Sequence, residues 1–495
     1  MSAQAGSGSN AGPARVLVLG GGGREHALVW SLAREAGVVS VIVAPGSDAI
    51  GCEPKVRCVP GVSATDAAAV LALATAEDVD LVVVGPEAPL AAGVVDVLEE
   101  AGVPTFGPIR AAARIEWSKA FCREVAAAAG VRMARGEAFW ELPPALEFAK
   151  GLASAAGSCG VVVKADGLMA GKGVTVCESY ERAEVALRAL FAGVPAAAGA
   201  GGAGGAPARA EGQPPVVVVE ERLIGAEASL IALCDDHAAL ALPPARDHKR
   251  LRDADEGPNT GGMGAYSPVP DLPESLCATL VDIIHVPILA ELARRGAPFR
   301  GALYAGLMLT PEGPVLIECN ARFGDPEVQA LLPRLAVPLG PLLLGAAQGD
   351  LAGAAARLGL VDRMLPTTGD AAVAIVLAAA DYPEAPRKGD VISGLGEAAR
   401  GAIVFHAGTA VGADGQYRTN GGRVLAVVGL GGSLAAARAN AEAAADKIAW
   451  QGMQRRRDIA ARLPGAADPQ GAAASPAPIS AAGWDEGRSR GGATS

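Results

Sequence analysis

The stretch VLIECNARFGDPEVQ, residues 315–329, combines residue types that could organise phosphate chemistry. In a strand, side chains alternate, so Glu318 and Asn320 share one face while Ile317 and Cys319 take the other. A carboxylate and an amide oxygen on one face form a pair of hard ligands suited to Mg²⁺, with phosphate oxygens and water completing its shell. Arg322 falls on the same face if the strand runs on. A core strand has little use for such a trio.

A second stretch, KADGLMAGKGV at 164–174, resembles a phosphate loop but breaks the usual spacing. Three residues rather than four separate Gly167 from Gly171, and Lys172 is followed by Gly173 instead of a metal-binding hydroxyl. A glycine-rich loop between two strands, VVVKAD and GVTVCES, can still fold over a triphosphate and donate backbone amides with no helix behind it. Lys164 ends a strand after three valines, and Lys119 lies on the preceding helix; both charges would face phosphate. A surface hairpin accounts for the glycines but not for that lysine.

In VVVVEERLIGAEASL, 216–230, backbone groups at Glu220 and Glu221 could meet an adenine edge and Glu227 could accept ribose hydroxyls. The alternative is an edge strand with solvated carboxylates. The segment 244–270 packs Arg246, Asp247, His248, Lys249, Arg250 and Arg252 ahead of Gly257, Gly261, Gly262 and Gly264, which suits either an anionic-substrate site or a solvated loop. LGGGGREHAL, 19–28, is a strand-to-helix turn whose amides and helix dipole favour an anion, with Arg24 and His26 as extra donors. Glu25 occupies the third-glycine place of a dinucleotide fingerprint, so that reading, and with it a nicotinamide-dependent dehydrogenase, fits poorly. A ligand-free turn is the other reading.

These residues need elements to hold them. From 14 to about 110, short apolar β-branched runs (ARVLVLG, VSVIVAP, DLVVVGP) alternate with helical patterns, which predicts βαβ units and a parallel sheet. A helix over about 111–129 leads out. From 159 the pattern becomes strand-rich, with a long helix at about 273–295 and a hairpin of GALYAGLML and PVLIECNAR around Pro311, Glu312 and Gly313. Residues 370–450 return to mixed α/β. The fold class expected is therefore multidomain α/β and α+β. Residues 1–13, 192–215 and 463–495 are small, polar and rich in Gly, Ala or Pro, and are expected as two tails and one flexible insertion.

At 495 residues the chain exceeds one hydrophobic core. A net charge of −11 argues against nucleic acid or an anionic membrane as the main partner. Eight cysteines without a C-x-x-C pair, and five scattered histidines, speak against a zinc site and for free thiols in a reducing compartment. The expected location is cytoplasmic, with a plastid or other organelle as the alternative. No charge-free apolar run of membrane-spanning length is present in the sequence.

Taken in order, GGGREHAL, GPEAPL (85–90), SKAF (118–121), KADGLMAGKGV, DHKR, GPNTGGMGAYSP (257–268), LYAGLM (303–308), RFGDPE (322–327), HAGT (406–409) and TNGGRVL (419–425) resemble the phosphoribosylamine–glycine ligase family of ATP-grasp enzymes. The resemblance covers almost everything outside the tails and the insertion. It implies a Rossmann-like domain at 14–113, an ATP-grasp domain at 114–332 clamping nucleotide between two sheets, and a small mixed α/β domain at 333–462. It further implies ligation of glycine to 5-phosphoribosylamine through an acyl phosphate, at the expense of ATP, with Mg²⁺ or Mn²⁺. On that resemblance Lys119, Lys164, Gly171, Lys172 and Gly173 hold phosphates; Glu220, Glu221 and Leu223 frame adenine; Glu227 takes the ribose; Glu318 and Asn320 bind the metal. Arg322 and Lys249 would stabilise the transferring group, and Gly22, Gly23, Arg24, Glu87 and Asp247 would bind substrate. A monomer or weak homo-oligomer is expected. Two departures stand out: GAEAS places Ala226 where the family usually has glutamate, and PGSDAIG (45–51) replaces P-G-N-x-G. Another ATP-grasp carboxylate–amine ligase is the nearest alternative.

Overall fold

The computed structural model describes residues 12–167, 173–193 and 215–461. The expected tails, apart from residues 12 and 13, and nearly all of the expected insertion lie outside these ranges, as do Gly171 and Lys172. Pro13, read from the sequence as tail, is buried.

Five apolar strands, β1 (Arg15–Gly20), β2 (Ser40–Pro45), β3 (Val56–Cys58), β4 (Leu81–Val84) and β5 (Thr105–Phe106), form a wholly parallel sheet in the order β3-β2-β1-β4-β5. The helices α1 (Gly23–Ala33), α2 (Ala67–Ala76), α3 (Glu87–Ala92) and α4 (Val94–Glu100) connect them. The order reverses at β1, so the turns after β1 and β4 open side by side at the carboxyl edge, where ligands of such sheets bind.

The expected helix over 111–129 is two helices, α5 (Arg110–Trp117) and α6 (Lys119–Ala128). Ser118 takes extended backbone angles (φ −100°, ψ 101°) and its Oγ accepts from Phe121 N–H at 3.2 Å, ending one helix and capping the next. The break sets Lys119 at a helix start.

The small lobe that follows is an antiparallel sheet of β6 (Gly136–Phe139), β7 (Val161–Ala165), β8 (Val174–Cys177) and β9 (Val217–Glu221), in the order β6-β9-β7-β8. Val161, Val163 and Ala165 of β7 are buried with α7 (Leu142–Ala153) and α8 (Tyr180–Phe191), which turns Lys164 to the opposite face. The large lobe pairs β10 (Ala226–Cys234) with β11 (Ala239–Ala241) and with the expected hairpin. That hairpin's strands are called βa (Gly301–Thr310) and βb (Gly313–Asn320) below.

Behind the large lobe runs the expected long helix, Glu274–Arg294. It is apolar enough for a membrane span by composition, but Leu276, Leu280, Ile284, Ile288 and Leu292 are buried in the core shared with βa. A π-turn at Val281–His285 precedes Pro287, which lacks the N–H to continue the ladder. A fourth sheet joins Arg246–Asp247 and Gly264–Ser267 to Ala371–Ala378, Arg423–Gly431 and Ile403–His406. It draws strands from both sides of residue 332, because Gly264–Ser267 pairs in register with Ala372–Ile375.

Candidate active site

Where βa meets βb the register shifts: Gly306 faces Glu318 while Leu307 faces Leu316, leaving Ile317 as an extra residue. Ile317, expected on the same face as Cys319, is half-exposed where Cys319 is buried. Its carbonyl accepts from Lys164 Nζ at 3.0 Å. The bulge thus anchors a small-lobe lysine to the large lobe beside Glu318. Glu318 and Asn320 follow on one face, as expected, and the strand stops at Asn320, so Arg322 reaches the site from a turn rather than from a continuing strand.

Lys164 Nζ also lies 2.6 Å from Glu220 Oε2, whose other oxygen meets Arg123 Nη1 at 2.7 Å. Glu220 is 4% exposed. Its carboxylate is committed to Arg123 and Lys164, whereas the sequence expectation placed backbone groups of Glu220, not this carboxylate, at an adenine edge. The edge-strand alternative for this stretch does not hold, because β9 lies between β6 and β7. Glu221 is likewise engaged: its Oε1 accepts from Arg135 N–H at 2.8 Å. The chain leaves the ladder just after Arg222, whose N–H bonds Gly160 O at 3.0 Å. Leu223 stands in the crossing between lobes, next to exposed Ile224.

Lys119 Nζ donates to Gly167 O at 3.2 Å, and burial lowers its pKa from the ordinary lysine range. Asp166, which the sequence reading passed over, ties the glycine loop to the α5–α6 break. Its carboxylate accepts from Ser118 Oγ and Ala120 N–H, each at 3.1 Å. Gly173 closes the far side of that loop through Ala165 N–H to Gly173 O at 2.7 Å.

On the large-lobe face, Lys249 Nζ lies 2.8 Å from Glu227 Oε2 and 3.6 Å from Glu318 Oε1. Burial works against its charge, but these two carboxylates hold its pKa well above the ordinary value. Lys249 in turn draws Glu318 below the usual carboxylate range. Glu227, expected on ribose, is joined to Lys249 in a charge cluster with Glu318. Asp247 belongs to the same cluster, and burial pushes its pKa up to about 7.

A chain of alternating charges runs from Glu116 to Glu25. Glu116 Oε1 lies 3.1 Å from Arg322 Nη2; Arg322 Nε lies 3.8 Å from Glu87 Oε2; that oxygen lies 3.8 Å from Arg24 Nη2. Arg24 Nε donates to Glu25 Oε1 at 2.8 Å, and Glu25 Oε2 accepts Gly22 N–H at 2.7 Å. The glycine turn after β1 and the turn after β4 thereby converge on Arg322, as the strand order requires. Gly23 packs so tightly there that a Cβ would come 2.9 Å from Gln329 Nε2. Burial opposes the charge on Glu87, yet Arg24 and Arg322 win and lower its pKa.

Glu116, Asp325 and Arg423 were also missed by the sequence reading. Arg423 Nη2 lies 3.0 Å from Asp325 Oδ2, and its Nη1 donates to Asp325 O at 2.7 Å and to Gly261 O at 2.5 Å. It ties the 257–262 loop to the RFGDPE turn. Both ends lay inside quoted motifs, but nothing in their spacing links residue 423 to residue 325.

Glu318 and Asn320 fit a divalent cation: among the described residues neither side chain has a hydrogen-bond partner, and the nearest cation to Glu318 is Lys249 at 3.6 Å. Two hard oxygens leave most of a Mg²⁺ shell to phosphate and water.

Two lobes that face each other across lysines, with a carboxylate–amide pair on the large-lobe hairpin, define an ATP-grasp fold. The chain matches three consecutive family descriptions: phosphoribosylglycinamide synthetase N domain over 14–116, ATP-grasp (A) domain over 117–328 and C domain over 372–462. A phosphoribosylamine–glycine ligase from Mesorhizobium japonicum is 44% identical over 446 residues, 90% of this chain and 97% of that protein. The crystal structure of the phosphoribosylamine–glycine ligase of Thermotoga maritima superposes with a TM-score of 0.72 at 31% identity, covering 90% of this chain and 100% of that one. The biotin carboxylase domain of the 2-oxoglutarate carboxylase of Hydrogenobacter thermophilus, solved with MgADP, shares the fold with a TM-score of 0.64 at 16% identity, covering 90% of this chain and 92% of that one. The chain belongs to the phosphoribosylamine–glycine ligase family.

Proposed function

We propose that the chain ligates glycine to 5-phosphoribosylamine with cleavage of ATP, giving glycinamide ribonucleotide, ADP and phosphate in de novo purine biosynthesis. The observation that carries this reading is the joining of three sets of groups at one cleft: the lysines 119 and 164, the Glu318–Asn320 pair, and the Arg322–Glu87–Arg24 chain leading to the glycine turn. Family membership along almost the whole chain supports it.

A carboxylate acylates an amine poorly at neutral pH. In the proposed sequence a glycine carboxylate oxygen attacks the γ-phosphorus and ADP leaves. The amine nitrogen then attacks the glycyl carbonyl carbon, phosphate departs, and the nitrogen loses a proton. No enzyme nucleophile is required; positioning and electrostatics supply the acceleration.

Lys119 and Lys164 face the phosphates, and Leu223 with the backbone beyond β9 borders the base. Glu318 and Asn320 would hold Mg²⁺, with Mn²⁺ as a substitute, and the bound ion would neutralise charge on the transferred group. Arg322 and Lys249 stabilise the charge that develops on the phosphoryl oxygens and on the tetrahedral oxyanion. Gly22, Gly23, Arg24, Glu87 and Asp247 bind the amine substrate. Glu227, partly exposed and paired with Lys249 through one oxygen, takes the ribose hydroxyls, and Gly171, Lys172 and Gly173 hold phosphates. The same proposal has the enzyme working in the cytoplasm as a monomer or weak homo-oligomer.

The test is ADP release on addition of ATP, glycine and phosphoribosylamine, with each omitted in turn. Full turnover should need all three. ADP formation without a requirement for glycine sinks the reading.

A further inference from the structure

Glu116 lies in the last turn of α5, two residues before the Ser118 break, and its side chain is 6% exposed. Such a buried carboxylate needs partners to offset its desolvation. It has two, both from the segment that follows the metal-site strand: Oε2 accepts Ala321 N–H at 2.9 Å, and Oε1 lies 3.1 Å from Arg322 Nη2. One carboxylate therefore fixes the residue directly after Asn320 and the guanidinium directly after that.

The rest of Arg322 is lightly held. Its Nη1 donates to Phe323 O at 3.1 Å, its Nε is buried without a hydrogen-bond partner among the described residues, and Glu87 stands 3.8 Å away. Glu116 is thus the one carboxylate among the described residues within close ion-pair distance of this guanidinium. Because α6 begins at Lys119, the same turn of chain also delivers a phosphate-facing lysine. Phosphate contact and transfer cation share one mount.

We infer that Glu116 is a positioning residue that aims the Arg322 guanidinium at the transferring group. This rests on the role given to Arg322 under the proposed function. An aimed cation stabilises a transition state only where its N–H groups already point at the developing charge, so a loss of aim should appear in kcat before KM.

The experiment compares Glu116→Gln, Arg322→Ala and the double variant. Glu116→Gln keeps an acceptor for Ala321 N–H and removes the charge facing Arg322. It should lower kcat roughly 10- to 100-fold, while KM for ATP, ATP-analogue affinity by calorimetry and thermal midpoint stay close to those of the unmodified enzyme. In the Arg322→Ala background Glu116→Gln should cost nothing further, since it acts only through the missing group. Glu116→Asp, which retains charge at a shorter reach, should fall between Glu116→Gln and the parent, and it serves as the readout if Glu116→Gln fails to fold. An unimpaired Arg322→Ala enzyme overturns the role of Arg322 and this inference together. An impaired Arg322→Ala enzyme beside a fully active Glu116→Gln enzyme, or an equal further loss in the double variant, overturns the inference about Glu116 alone.

Discussion

At the scale of single residues, the site places four cations, Lys119, Lys164, Lys249 and Arg322, around one partly exposed carboxylate, Glu318. Their field lowers the pKa of Glu318, so it is ionised at neutral pH and able to take a divalent cation. Removing it should cost metal before it costs structure, because Lys249 retains Glu227 at 2.8 Å. Glu318→Ala is expected to lower turnover by two orders of magnitude or more, on the order of the loss of a principal electrostatic group. Mg²⁺ titration in the presence of ADP should lose its binding heat while circular dichroism stays unchanged. Retained Mg²⁺ affinity would remove Glu318 from the metal site. The placing of Glu318 and Asn320 on one face was legible in the sequence because strand periodicity alone puts them together. The engagement of Glu227 and Glu220 by Lys249, Arg123 and Lys164 was not, since each ion pair joins segments that only the folded lobes bring together.

At the scale of elements, the parallel N-terminal sheet, the hairpin and the long helix were all readable from hydrophobic pattern and turn residues. Two irregularities were not, and both serve the cleft. The bulge at Ile317 leaves the two-residue alternation of Glu318 and Asn320 intact, so the pattern hides it; its signature is a shifted partner strand. The break at Ser118 interrupts a sequence otherwise rich in alanine and apolar residues, where helical periodicity runs straight through. Ser118 is a strong cap candidate by type, yet the cap matters here because Asp166 meets it from 48 residues away. Ser118→Ala should lose about 1 kcal/mol of stability, the usual value of such a cap. It should also weaken ATP-analogue binding, because Lys119 and the Asp166–Gly167 corner lose a common anchor. Urea denaturation and calorimetry on the same preparation measure both; a stability loss with unaltered nucleotide affinity would mean that the break is structural only.

At the scale of the whole molecule, the N- and C-terminal sheets are joined through histidine. His26 Nδ1 in α1 accepts the backbone N–H of His406 at 2.9 Å, and the His406 ring lies 4.7 Å from that of Tyr417. Across the Val411 N–H to Asp48 Oδ2 bond of 2.8 Å, the C-terminal ribbon also pins the PGSDAIG loop. That contact offers a physical setting for the loop's departure from the family pattern, because Asp48 lies within it. Burial, then the neighbouring His26, pulls the His406 pKa down to about 3, and burial takes His285, under the large lobe, down to about 4. Both groups stay neutral in the folded protein at pH values where an unfolded histidine, with an ordinary pKa of about 6.5, is charged. Between those limits the unfolded state binds more protons, so unfolding free energy rises with pH there. The stability each neutral histidine represents is whole above about pH 6.5 and drains away as pH falls toward the folded values. Going from pH 7.5 to pH 5 should cost on the order of 2 kcal/mol per histidine by this linkage. His406→Phe keeps a ring against Tyr417 and cannot take a proton, so it should flatten the pH dependence of the urea midpoint by about one group's share. A variant whose slope between those two pH values matches the parent's would show that His406 titrates normally and that the N- to C-terminal junction is not its burial site.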